Sequence, residues 1–111
     1  MNGITTHVLD TSRGQPASGV PVVLSVLAES GEWREIARGS TDMEGRTTMA
    51  STHAARGIYR LDFDTAAYFR AWNLEGFYPE VRITFEIRDP AQHYHVPLLL
   101  SPYGYSTYRG S

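Results

Sequence analysis

The feature that most limits what this chain can become is an alternation of apolar and polar residues at period two, repeated in short runs. It is sharpest over residues 80–88, where Val81, Ile83, Phe85 and Ile87 alternate with Glu80, Arg82, Thr84, Glu86 and Arg88. Successive side chains of an extended strand point to opposite faces, so this run puts one face in a core and the other in water. Residues 57–64 repeat the pattern, with Tyr59, Leu61 and Phe63 opposed to Arg60 and Asp62. Residues 20–27 are more continuously apolar, which predicts a strand buried on both faces or lying against a partner. About eight such runs, separated by Gly, Pro, Asp and Ser clusters, read as an antiparallel sandwich or barrel. Asp42-Met43-Glu44-Gly45 and Asp89-Pro90-Ala91-Gln92 read as hairpin-type connections. One short helix is expected over 65–73, N-capped by Asp64 or Thr65, with Tyr68 and Trp72 four apart on one face.

With 111 residues, no internal repeat and no linker, the chain is expected to form a single domain spanning 1–111. The absence of cysteine removes disulfides, thiolate nucleophiles and cysteine zinc sites, and the absence of lysine removes Schiff-base chemistry. All ten cationic residues are arginines, dispersed along a chain of net charge −2, so nucleic acid is not an expected partner. No run approaches the roughly 20 apolar residues of a membrane-spanning helix, so no membrane partner is expected. The start, Met1-Asn2-Gly3-Ile4-Thr5-Thr6-His7, has no basic segment leading into an apolar one, and the cytoplasm is the expected location.

Acid–base chemistry near neutral pH falls first to histidine, and there are four: His7, His53, His93 and His95. His7 lies in an expected first strand on the same face as Thr5 and Leu9. His93 and His95, two apart, share a face if their segment is extended. That spacing is open to three readings: zinc ligation with His7 as a third ligand, general-base catalysis, or two solvated histidines on a surface strand. Arg46 stands where a strand resumes after Glu44-Gly45, placed either to clamp carbonyl or carboxylate oxygens or to sit on an exposed rim. His53 reads as a loop residue without a role.

The tail, residues 101–111, carries Tyr103, Tyr105 and Tyr108. Amphipathic aromatics at this density fit a subunit interface, or else an edge strand. Gly104-Tyr105-Ser106-Thr107-Tyr108 begins like a nucleophile elbow but lacks the closing glycine, which argues against a serine hydrolase.

Three segments together, Thr6-His7-Val8-Leu9-Asp10, Arg46 after Gly45, and the run from His93-Tyr94-His95-Val96-Pro97 to the closing Tyr108-Arg109-Gly110-Ser111, resemble the 5-hydroxyisourate hydrolases of the transthyretin-like family. The resemblance runs nearly end to end. It implies an all-β sandwich of two four-stranded sheets with one short helix. It also implies hydrolysis of a cyclic amide bond in 5-hydroxyisourate, giving 2-oxo-4-hydroxy-4-carboxy-5-ureidoimidazoline in urate degradation, without cofactor or metal. Carried over position by position, the family's catalytic trio falls on His7, Arg46 and His95. Substrate contacts fall on His7, Arg46, Tyr108, Arg109, Gly110 and Ser111. The family pattern further implies a homotetramer with its sites in a channel between subunits. Transthyretin proper, the carrier of the same fold, lacks this ending and this histidine and arginine set, so the resemblance favours an enzyme. It leaves open which histidine is the base, and gives His93 no catalytic part.

Overall fold

The computed structural model describes residues 3–50 and 54–111; His53 lies outside the described residues. Among the described residues, nine strands form two sheets packed face to face, with one helix beside them. In the first sheet, β1 (Ile4–Asp10) is central, paired parallel to β8 (Tyr94–Ser101) along one edge. Its other edge is shared by β5 (Arg46–Ala50), opposite residues 4–7, and the two-residue β2 (Gln15–Pro16), opposite Leu9 and Asp10. With β9 (Gly104–Thr107) outside β8, the sheet is four strands wide although five segments build it. The second sheet runs β4 (Trp33–Ser40), β3 (Pro21–Leu27), β6 (Gly57–Phe63), β7 (Val81–Ile87), all antiparallel.

Alternation does what period two requires. Ile4, Thr6, Val8 and Asp10 point inward from β1, Val96, Leu98 and Leu100 from β8, and Leu61 and Phe63 from β6, all buried. These residues meet Val22, Leu24, Val81 and Ile87 in one core. The apolar run of β3 reflects its central place between β4 and β6: Val22 and Leu24 are buried, while outward Val23 is only half-covered, opposite Arg38 and Asp62. It is not buried on both faces.

The helix α1 (Thr65–Ala71) is capped by Asp64, whose carboxylate accepts from the Ala67 amide at 3.0 Å. It ends two residues sooner than expected, at Ala71, and Asn73 takes a left-handed backbone (φ 59°). Tyr68 is buried and donates to Asp10 Oδ2 at 2.7 Å. Trp72 falls outside the helix, exposed, with the Arg13 guanidinium 3.7 Å over its ring, so the expected Tyr68–Trp72 pair does not form. No helix among the described residues is long and apolar enough to cross a membrane.

Both expected turns form, with the Gly45 amide donating to the Asp42 carbonyl at 2.9 Å and the Gln92 amide to Asp89 at 3.1 Å. Neither is a hairpin. β4 and β5 belong to opposite sheets, as do β7 and β8, so both turns carry the chain across the sandwich. A four-residue reversal has the same local chemistry in either case, and which strand edge receives the chain is decided by the rest of the fold.

Candidate active site

On β1 the core takes Ile4, Thr6 and Val8, which leaves Thr5 and His7 on the outer face of the first sheet. Register then delivers their neighbours. Thr5 stands opposite His95 on β8 and Thr48 on β5; His7 stands opposite Pro97 and Arg46. Adjacent strands lie about 4.8 Å apart, so residues far apart in sequence become one patch.

Arg46 is placed by the turn before it. The Asp42 carboxylate accepts from the Glu44 amide at 2.9 Å and the Arg46 amide at 3.0 Å, and these bonds, the Arg46 one foremost, hold its carboxyl below the usual carboxylate range. Gly45 completes the clamp: its φ is 78°, its carbonyl accepts from the Val8 amide at 2.7 Å, and a Cβ there would collide with the Val8 carbonyl oxygen. The Arg46 side chain is exposed and makes no hydrogen bond or ion pair among the described residues.

The Thr5 hydroxyl lies between two imidazoles, 2.8 Å from His95 Nδ1 and 3.1 Å from His93 Nε2. The rings are stacked at 14°, with centroids 6.4 Å apart, confirming that the pair shares a face. Burial is the leading cause that lowers the His95 pKa below its ordinary 6.5, followed by the positive potential of His93, His7 and Arg46. The shift favours the neutral ring, the form able to accept a proton. Among the described residues no group of three or more His, Cys, Asp or Glu side chains could hold a metal ion, so His7, His93 and His95 do not converge as ligands.

The tail closes over this patch. The Gly110 amide donates to the His95 carbonyl at 2.9 Å, and the Gly110 backbone lies directly on the imidazole, where a Cβ would come within 2.5 Å of His95 Cδ2. Thr5, Arg46, Thr48, His93, His95 and Ser111 line a cavity of about 380 Å³. His7 borders the patch without lining that cavity. Tyr108 and Arg109 go elsewhere: they line a second cavity of about 260 Å³ with Ile83, Phe85 and Tyr94, which shares His95 as a wall. The Arg109 guanidinium donates to Gln92 Oε1 at 2.9 Å and stacks 4.5 Å from the Tyr94 ring, away from Arg46. Of the expected site residues, the structure thus gathers Arg46, His95, Gly110 and Ser111, with His7 adjacent, and leaves Tyr108 and Arg109 apart within one chain. The residues that sequence reasoning passed over are Thr5, Asp42 and Gly45, which hold the others in place.

A family model described as HIUase/Transthyretin matches residues 4–110. The chain belongs to this family. A 5-hydroxyisourate hydrolase of Salmonella typhimurium is 46% identical over 99% of this chain and 82% of the relative. Among solved structures, a 5-hydroxyisourate hydrolase of Klebsiella pneumoniae superposes with a TM-score of 0.86 at 38% identity, covering 97% of this chain and 98% of that one. A transthyretin of Sparus aurata superposes with a TM-score of 0.92 at 32% identity, covering 99% and 97%. Both branches of the HIUase/Transthyretin family share the sandwich, so the backbone alone does not separate hydrolase from carrier.

Proposed function

We propose that the protein hydrolyses 5-hydroxyisourate to 2-oxo-4-hydroxy-4-carboxy-5-ureidoimidazoline, with His95 as general base and Arg46 as the clamp on substrate oxygens. The observation that carries this reading is one cavity walled both by an imidazole whose pKa is lowered and by a guanidinium that has no hydrogen bond or ion pair among the described residues. In this scheme His95 takes a proton from water as the water oxygen bonds to the cyclic amide carbon. Arg46, a planar donor of paired hydrogen bonds, stabilises the charge that develops on the carbonyl oxygen. The ring C–N bond then breaks and its nitrogen receives the proton from His95. Direct attack by water suits a chain without cysteine or lysine. Support for His95 over His7 as base is that His95 lines the cavity and His7 does not. His7 sits beside Arg46 to orient substrate.

We place Tyr108 and Arg109 at the substrate through assembly: in a cytoplasmic homotetramer with its sites between subunits, their cavity and the His95 cavity lie on either side of one wall. Freshly generated 5-hydroxyisourate, followed by its ultraviolet absorbance, tests the activity. Accelerated decay that survives exhaustive chelation is expected; loss of turnover on chelation, restored by stoichiometric zinc, overturns the metal-free scheme. The likeness to transthyretin keeps a carrier as the second reading, and ligand binding without turnover would favour it.

A further inference from the structure

Thr5 sits between His93 Nε2 and His95 Nδ1, and its hydroxyl has one proton for two imidazole nitrogens. It can donate to only one ring and must accept from the other. If it donates to His95, that Nδ1 holds the lone pair, the ring hydrogen is on Nε2, and the ring cannot take a proton there. If it donates to His93, the His95 hydrogen is on Nδ1 and the Nε2 lone pair is free. The two arrangements have opposite chemical consequences while differing by no heavy-atom movement.

The geometry around His95 favours the second. The Cδ2 edge of His95 is covered by the Gly110 backbone and its Nδ1 is turned onto Thr5. Nε2 is therefore the ring nitrogen with no hydrogen bond among the described residues. In this arrangement the His93 hydrogen is on Nδ1, which is buried without a hydrogen-bond partner among the described residues, and its Nε2 meets the Thr5 hydroxyl. The charges that bear on His95 are those of His93, His7 of β1 and Arg46 of β5, and the two cavities it walls also carry Asp42, Glu86, Tyr94, Tyr108 and Arg109. Only His93 reaches it through a bridging hydroxyl.

We propose that Thr5 is the positioning residue of the general base: its hydroxyl donates to His93 Nε2, accepts from His95 Nδ1, and so fixes His95 in the tautomer whose lone pair is on Nε2. This rests on the hydrolase reading with His95 as base. When Nε2 takes the proton from water, the ring becomes an imidazolium that keeps its Nδ1 hydrogen on Thr5. The same Nε2 proton leaves with the ring nitrogen once the C–N bond breaks. Nothing is transferred along Thr5, whose part is orientation.

The test compares Thr5→Val, which keeps the branched shape and removes the hydroxyl, with Thr5→Ser, which keeps the hydroxyl, and with His93→Phe, which removes the acceptor. Thr5→Val and His93→Phe are each expected to lower kcat about 100-fold, within the range a positioned general base contributes, with KM changed less than threefold. Thr5→Ser is expected to retain at least a third of wild-type kcat. Long-range proton–nitrogen NMR of the wild-type protein at pH 7.5 should show the Nδ1–H form of His95, and in Thr5→Val a gain of the Nε2–H form. Thr5→Val within threefold of wild-type kcat, or an Nε2–H form of His95 in the wild type, overturns the proposal. The NMR readout needs no substrate, so inactivity of the wild-type protein would refute the hydrolase reading while Thr5 is still judged by the tautomer.

Discussion

The contact between Gly110 and His95 allows a one-atom perturbation whose effect can be sized beforehand. Gly110 is not in the left-handed backbone region, so alanine meets no conformational penalty there and the whole effect is the added methyl. That carbon would lie 2.5 Å from His95 Cδ2 and 3.3 Å from both His95 Cγ and Pro97 Cγ. Carbon atoms rest at about 3.5–4.0 Å, so ring and tail must separate by about 1 Å. Movement of the tail is opposed by the Gly110 amide bond to the His95 carbonyl, and movement of the ring by the Thr5 hydroxyl. A displacement of about 1 Å at a reacting group costs on the order of 100-fold in rate, whereas overpacking at a tail of this kind costs about 1–3 kcal/mol of stability. Gly110→Ala should therefore lower kcat/KM about 100-fold in the ultraviolet assay while the protein still melts cooperatively. Gly104→Ala is the control, since its Cβ makes an ordinary 3.8 Å contact with Ser101 Oγ in the same tail. If Gly110→Ala keeps more than a third of wild-type kcat/KM with its fold intact, the tail does not set the position of His95.

His95→Ala should lose about 10²- to 10⁴-fold in kcat with unchanged circular dichroism and subunit mass; near-normal kcat/KM removes His95 from the mechanism. Arg46→Lys keeps the charge but loses the paired planar donors, and a fall on the order of 10² in kcat is expected; near-full activity would mean that charge alone suffices. Because burial and the neighbouring positive groups lower the His95 pKa, the acid limb of kcat/KM should have its midpoint below pH 6.5, the ordinary imidazole value. The same shift means its stability contribution is complete above pH 6.5 and declines as pH falls through the lower folded value; a limb centred at or above the ordinary value contradicts the burial argument. Gly45→Ala, at φ 78° and against the Val8 carbonyl, should cost roughly 1–3 kcal/mol in thermal or denaturant unfolding, and an unchanged midpoint would show that the turn yields freely.

What could be read from the sequence was what depends on neighbours along the chain. Residues 80–88 and 57–64 alternate because each strand meets one core, and they became β7 and β6 within a residue at either end. Asp64 was legible as a cap because its carboxylate bonds an amide three residues on. The pairing of strands was not legible. Asp42 and Asp89 form their turns as expected, yet the turns cross between sheets. Thr5 showed its face but not its use, because its value comes from a parallel register with His95 that no local pattern encodes. The resemblance supplied His7, Arg46 and His95, and the register explains how strands that are remote in sequence bring them together. Tyr108 and Arg109 illustrate the converse: the family resemblance led to their being expected at the site, while one chain directs them into the adjoining cavity.

The division between the two faces of β1 also bears on how one sandwich can serve both branches of its family. Every outward group at the site is anchored by backbone register or by a bond to a neighbouring outward group. Ile4, Thr6, Val8 and Asp10 on the inner face hold the sheet to the core regardless. Thr5, His7, Arg46 and His95 lie outside the buried core, so the stability at stake in changing them is small beside the kilocalories lost when a core leucine such as Leu98 is truncated. A fold built this way constrains its interior tightly and leaves its outer sheet face free to be a binding surface or a reaction centre. Gly45 and Gly110 are the exceptions, because each lets a backbone approach too closely for any side chain, one to fix Arg46 and the other to fix His95. It is at these two glycines, more than in the strands themselves, that the scaffold is fitted to the chemistry of the site.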